Sequence, residues 1–373
     1  MDFKVRFAGK SILNKNRKAA LILKNQKGSA FFLSLPRIAI ADCRLPIADP
    51  YLPPVLYRFL KAYARLGIKI FCRHIYVNRP EWLRAEGPLL LCANHPNSFL
   101  DGIILTILLD KPLYSLARGD AFGHKALRKL IDIFHLLPVY RSSEGAENLG
   151  QNYSTFAACR EVFRKKGVVL IFSEGGCVNE WHLRPLRKGT ARLALSAWQE
   201  GIPLTVLPLG FNYSPFRNFG KNVWINYGAP LDRGTVELQP SEGLRFAEFN
   251  RQLRAQLETL VWEIDAQDPV ALKQKLSVPV PFWKRVLLAP FALIGTLLHA
   301  PLYFPVKWLT KARFDNDHFD SVVVALLLIL YPFYLLLLAA LSWIWLPWWV
   351  ALPVFLLAPF SAWAATQLKP QTS

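Results

Sequence analysis

Residues that could do acid–base chemistry converge on the stretch 89–101, LLLCANHPNSFLD. An apolar run of strand character ends at Ala93-Asn94; His95, Pro96 and a polar turn follow, and Asp101 heads a second apolar run, 102–109. A residue before proline is driven to extended geometry, so His95 is expected at the strand exit, outside the helix. Asp101 is expected in the first helical turn. From there a carboxylate can accept from one imidazole nitrogen and fix the tautomer, leaving the other nitrogen to take a proton from a hydroxyl. A plainer reading exists. Ser98-x-x-Asp101 matches a capping box, with Asp101 satisfying helix N–H groups, and taken alone the stretch favours the cap.

A second group follows the β-branched run 168–172: Phe172-Ser173-Glu174-Gly175-Gly176, then Arg184, Arg187, Lys188 and Gly189-Thr190. A glycine-containing loop at the C-terminal end of a strand is where α/β sheets bind ligands. Backbone N–H groups and basic side chains there suit a phosphate; the alternative is a solvated basic loop. Arg141 ends another strand, Pro138-Val139-Tyr140, and could hold an anion or pair with a surface carboxylate. No His/Cys/Asp cluster has ligand spacing, so no metal is expected.

The elements that must position these residues alternate. Strands are expected over 75–77, 89–93, 113–117, 136–140, 168–172, 204–211 and 223–227. Helices are expected over 102–109, 124–134, 153–165, 190–199 and 243–264. This order predicts an α/β fold with a mostly parallel central sheet flanked by helices. Ahead of it, Arg58, Lys61, Arg65, Lys69 and Arg73 recur every three or four residues over 55–73. They predict an N-terminal amphipathic helix with one basic face, at a membrane surface or over a protein core.

Net charge is +19, from 45 Lys and Arg against 26 Asp and Glu, and implies an acidic partner. No nucleic-acid motif accompanies it, so the membrane surface and anionic substrates are favoured and no nucleic-acid partner is expected. Five dispersed cysteines without a C-x-x-C pair read as reduced thiols in a cytosolic domain. From 321 to 368 there is no Lys, Arg, Asp or Glu. Residues 322–341 are long enough to cross a bilayer, about 30 Å at 1.5 Å per residue. Residues 349–366 form a second candidate, and a tryptophan cluster with Pro347 lies between them. The pair predicts a C-terminal transmembrane helical hairpin. Lys307, Lys311, Arg313 and Lys369 flank it, so both ends and the catalytic domain are expected on the cytoplasmic face. The uncharged stretch 286–306 contains three prolines and is expected to be interfacial. The organisation reads as a poorly ordered leader at 1–50, an α/β domain at 51–267, an interfacial linker at 268–320 and the hairpin at 321–368.

The order of the blocks resembles the PlsC-like phospholipid/glycerol acyltransferase family, which includes glycerol-3-phosphate and 1-acylglycerol-3-phosphate acyltransferases. Four blocks match in order: Asn94-His95 to Asp101, Tyr140-Arg141, Phe172-Ser173-Glu174-Gly175, and Ile202-Pro203 to Val206-Leu207-Pro208. There are departures. Five residues separate His95 from Asp101 where the family usually has four, a spacing similar to that of a branch with fungal glycerol-3-phosphate acyltransferases. Ser173 replaces the usual proline, and Gly176-Cys177 stands where many members have Thr-Arg.

The resemblance implies acyl transfer from acyl-CoA or acyl-carrier protein to the hydroxyl of glycerol 3-phosphate or 1-acylglycerol 3-phosphate, with no further cofactor. His95 would be the general base and Asp101 its orienter. Asn94, Arg141, Glu174 and Gly175 would build the acceptor site, with Arg187 and Lys188 standing in for the missing arginine. The partners implied are the phospholipid bilayer, the acyl donor and a phosphorylated glycerol acceptor. Another lysolipid acceptor, or a non-catalytic membrane lipid-binding protein that keeps the fold, is the alternative.

Overall fold

The computed structural model describes residues 22–24, 30–32, 54–119, 133–140, 146–345 and 347–369. Of the expected leader only two short strands are described, β1 (Ile22–Lys24) and β2 (Ala30–Phe32), paired antiparallel. The rest of the leader, Arg141 and most of the helix expected over 124–134 lie outside the described residues.

The main unit is built on a seven-stranded sheet. Its strands are β3 (Cys72–Val77), β4 (Leu89–Ala93), β5 (Leu113–Arg118), β6 (Leu136–Val139), β7 (Val168–Phe172), β8 (Thr205–Tyr213) and β9 (Lys221–Tyr227). Their order is β3-β9-β8-β4-β7-β5-β6. Every neighbouring pair is parallel except β8 and β9, so the sheet is mostly parallel, with β3 and β9 reversed. β4 lies between β7 and β8, and all five of its residues are buried. Side chains alternate across a strand, so Leu90 and Cys92 enter one core while Leu89, Leu91 and Ala93 enter the other. A strand apolar on both faces is what a sheet covered on both sides requires.

One face is covered by α3 (Ala146–Arg164), α4 (Lys188–Gln199) and α6 (Glu242–Leu260); the short α5 (Arg233–Glu237) contributes Val236. The other face carries α1 (Pro54–Phe71), α2 (Phe99–Leu108) and the bases of two long apolar helices. After α7 (Pro269–Leu276) come α8 (Phe282–Arg313), α9 (Phe319–Trp345) and α10 (Trp348–Leu368). Val306 of α8 and Phe319, Val323 and Val324 of α9 are buried in the same core as β4, β7 and β8. Residues 45–373, these helices included, form one compact unit.

Helices α8 and α9 are each long and apolar enough to cross a membrane. The stretch expected to be interfacial belongs to α8, which runs unbroken for 32 residues through Pro290, Pro301 and Pro305. Prolines are tolerated in long apolar helices, and α9 braces this one, Tyr334 donating to the Leu298 carbonyl. Gly295 of α8 lies against the Ser361 carbonyl of α10, where any side chain would overlap backbone.

The basic stripe of α1 is divided. Lys61 donates to the Leu109 carbonyl and Arg65 to the Ile107 carbonyl, so both neutralise the C-terminal end of α2. Arg73 lies on β3 and is buried. Arg58 and Lys69 stay exposed, beside exposed Val55, Phe59 and Leu66.

Candidate functional site

His95 follows β4, outside α2, and Asp101 is the third residue of α2. The extra residue of the His-to-Asp spacing is taken up in the 96–98 turn. Ser98, the N-cap, has φ 50, a left-handed conformation that costs a non-glycine residue about 1–2 kcal/mol.

The His95 Nδ1 atom is 2.9 Å from Asp101 Oδ2. The His95 side chain is 17% exposed while that of Asp101 is fully enclosed. A carboxylate shut away from water needs donors, and Asp101 has three. His95 faces Oδ2, the Asn97 N–H donates to Oδ2 at 3.0 Å, and the Tyr213 hydroxyl donates to Oδ1 at 2.6 Å. Cap and orienter are therefore not exclusive: Asp101 reaches back to the turn as a capping carboxylate does and holds the imidazole as well. With Nδ1–H turned to Asp101, Nε2 is the free lone pair, and it has no partner among the described residues. The ring lies flat on Phe172 at the end of β7, with centroids 3.6 Å apart and planes 14° apart.

Tyr213 is fully buried. Burial, and then the charge of Asp101, push its phenol well above the ordinary range, so it stays a donor to Asp101. The sequence reading missed Tyr213 because it ended β8 two residues early. The signal was present: Leu207, Leu209, Phe211 and Tyr213 form a period-two series into one core, and the last member carries a hydroxyl.

Glu174 is buried below the site. Its two oxygens accept from the N–H groups of His95, at 2.9 Å, and of Arg184, at 3.0 Å. Burial raises its carboxyl pKa and these two backbone bonds pull it back. Glu174 thus clamps the loop after β4 to the loop after β7. Asn94 is likewise turned inward, donating to the Phe211 carbonyl at 3.0 Å and accepting from the Phe211 N–H at 2.7 Å. Ser173, in the usual proline place, accepts from the Thr190 hydroxyl at 3.1 Å. The Cys177 sulfur accepts from the Ser98 N–H at 3.0 Å; burial keeps its thiol protonated.

The β7 loop turns at Gly175, whose φ of +68 suits glycine, and the Arg187 stem lies over it. Arg187 is tied to the loop by its N–H, which donates to the Ser173 carbonyl at 2.8 Å. Arg187 and Lys188 open α4, are exposed, and have no carboxylate partner among the described residues; Arg187 makes no side-chain cap. An uncapped helix N-terminus with two unpaired cations can hold a phosphate. No group of three or more potential metal ligands occurs among the described residues.

Residues 74–212 match the acyltransferase family model. Among solved structures the chain is similar to the 1-acyl-sn-glycerophosphate (LPA) acyltransferase PlsC from Thermotoga maritima, at 15% identity over 56% of this chain and 82% of that chain, with a TM-score of 0.35. Comparison with curated proteins finds no match. The matched segment, which holds His95, Asp101 and Glu174, is thus an acyltransferase domain by its family model.

Proposed function

We propose that this acyltransferase moves a fatty acyl group from an acyl-CoA or acyl-carrier-protein thioester to the hydroxyl of glycerol 3-phosphate or 1-acylglycerol 3-phosphate, at the cytoplasmic face of a membrane. The observation that carries the reading is the His95–Asp101 hydrogen bond, with Nε2 unpartnered and reachable beside the β7 loop. His95 Nε2 takes the acceptor's hydroxyl proton as that oxygen attacks the thioester carbonyl. Asp101 holds the tautomer and offsets the imidazolium charge. Collapse of the tetrahedral adduct expels the thiolate, which recovers the proton from His95, leaving an ester and a free thiol. Arg187, Lys188 and the α4 N-terminus take the acceptor phosphate, with Arg141 assigned to the same anion. Glu174 and Asn94 act by holding the two loops. The length and apolar character of α8 and α9 support a location in the bilayer where the lipid product resides, and the flanking cations Lys307, Lys311, Arg313 and Lys369 support the cytoplasmic orientation.

The test is acyl transfer by the purified full-length chain, with both thioester donors and a panel of phosphorylated and unphosphorylated acceptors. His95→Ala is expected to lower kcat by about 10²–10⁴. Arg187→Gln with Lys188→Gln is expected to raise KM for phosphorylated acceptors alone. Undiminished transfer by the His95 variant overturns the assignment, and preference for an unphosphorylated acceptor overturns the substrate class.

A further inference from the structure

The turn between His95 and Asp101 is held only in part by its own neighbours: the Asn97 N–H donates to Asp101 Oδ2 and the Leu100 N–H to the Asn97 carbonyl at 3.1 Å. Ser98 makes no side-chain cap for α2. The cap comes from the first turn of α9: the Ser321 hydroxyl accepts from the Leu100 N–H at 3.0 Å and donates to the Asn97 carbonyl at 3.1 Å. One residue earlier, Asp320 Oδ2 accepts from the Asn97 side-chain amide at 3.0 Å. The Lys221 ammonium on β9 pairs with the same carboxylate, and the Arg217 N–H donates to it at 3.0 Å. Asn97 is fully buried between two carboxylates. Its side chain is held by Asp320, and its backbone N–H is delivered to Asp101. The segment just before α9 adds two contacts: His318 Nδ1 lies 2.6 Å from the Ser98 hydroxyl, and Asp317 accepts from the Asn179 N–H at 2.9 Å.

We propose that Ser321 and Asp320, on the first turn of an apolar helix, are positioning residues for acyl transfer: they fix the 96–98 turn so that Asn97 holds Asp101 against His95. The proposal rests on His95 being the general base. Neither residue touches the imidazole. Both act through Asn97, whose N–H shares Asp101 Oδ2 with His95. When that N–H drifts, the carboxylate is no longer held in line with the imidazole, and part of its support for the imidazolium formed in the proton step is lost. The effect therefore reaches the proton step, and leaves the phosphate-binding end of the site alone.

The experiment uses the full-length chain in one detergent–phospholipid mixture. Ser321→Ala removes the cap with little change of volume. Asp320→Asn with Lys221→Met removes both buried charges together, avoiding the stranded ammonium of the single change. Each folded variant is expected to lose about tenfold in kcat and to keep KM for donor and acceptor within twofold. Thermal midpoints identify folded variants, and if the double variant fails to fold, Ser321→Ala decides. A parental kcat, or a KM raised along with a lowered kcat, overturns the proposal. His95→Ala is measured alongside: undiminished activity there removes the general-base reading, whereas its collapse with Ser321→Ala unaffected overturns the positioning role alone.

Discussion

Replacing Asp101 with asparagine keeps its volume and one acceptor oxygen while removing the charge. The three donors around it decide how the amide sits. Its oxygen can take the Oδ2 place, accepting from His95 and Asn97. Its NH2 then faces Tyr213, whose hydroxyl can turn to accept. The imidazole tautomer survives, so the loss is the attraction between the carboxylate and the imidazolium formed during catalysis. With Nδ1 and Oδ2 2.9 Å apart, the charge centres lie about 4 Å apart, worth about 4 kcal/mol at an effective dielectric near 20. That is about three decades in rate. The kcat of Asp101→Asn is therefore expected to fall about 10³-fold, with KM for both substrates within a few-fold. Initial rates of thiol release from the thioester donor, followed over a range of both substrates, read kcat and KM, and an unchanged thermal midpoint shows that the fold is kept. A loss below tenfold would refute the electrostatic role of Asp101.

Tyr213→Phe leaves Asp101 Oδ1 without its donor. Hydrogen bonds to charged groups contribute about 1.5–3 kcal/mol, so stability to denaturant should fall by that order. Gly175→Ala puts a methyl against the Arg187 stem at φ +68; a cost of about 1–2 kcal/mol and a raised KM for the phosphorylated acceptor are expected in thermal and kinetic assays. Lys369 is brought from 10.5 down to about 8 by burial and by the charges of Lys307 and Lys221. Between those values the unfolded chain binds more protons, so the thermal midpoint should rise with pH across that window and lose this dependence in Lys369→Met. Gly295→Leu drives a side chain into the α10 backbone, and overpacking of about 1–3 kcal/mol should appear as a lowered thermal midpoint in detergent.

Much of this was legible because 89–93 and 168–172 are short continuous apolar runs bounded by turn residues, the pattern of strands buried on both faces, and because proline after His95 disfavours the helix there. The spacing alone could not choose between cap and orienter, since Asp101 does both. Glu174 and Asn94 enter the acceptor site only through the resemblance. In the structure their hydrogen-bond partners are backbone groups of neighbouring loops, and no local pattern encodes those. Lys61 and Arg65 fell on a regular basic stripe, but the carbonyls they meet belong to α2, more than 40 residues away. Ser321 was hidden for the same reason. It opens a run without charge and reads as the first residue of an anchor, yet its hydroxyl closes the active-site turn.

That last contact spans 224 residues of sequence. At a synthesis rate of about 5–20 residues per second, Ser321 leaves the ribosome roughly 10–45 s after Asn97. Throughout that interval the sheet face that Phe319, Val323 and Val324 will cover is bare, and the 96–98 turn is without its cap. A nascent chain stopped before α9 would carry the histidine, the aspartate and the whole sheet, and would still be expected to be inert. Maturation of the enzyme is thus timed by the arrival of its C-terminal helices, and those helices are the part of the chain with the strongest claim on a lipid bilayer.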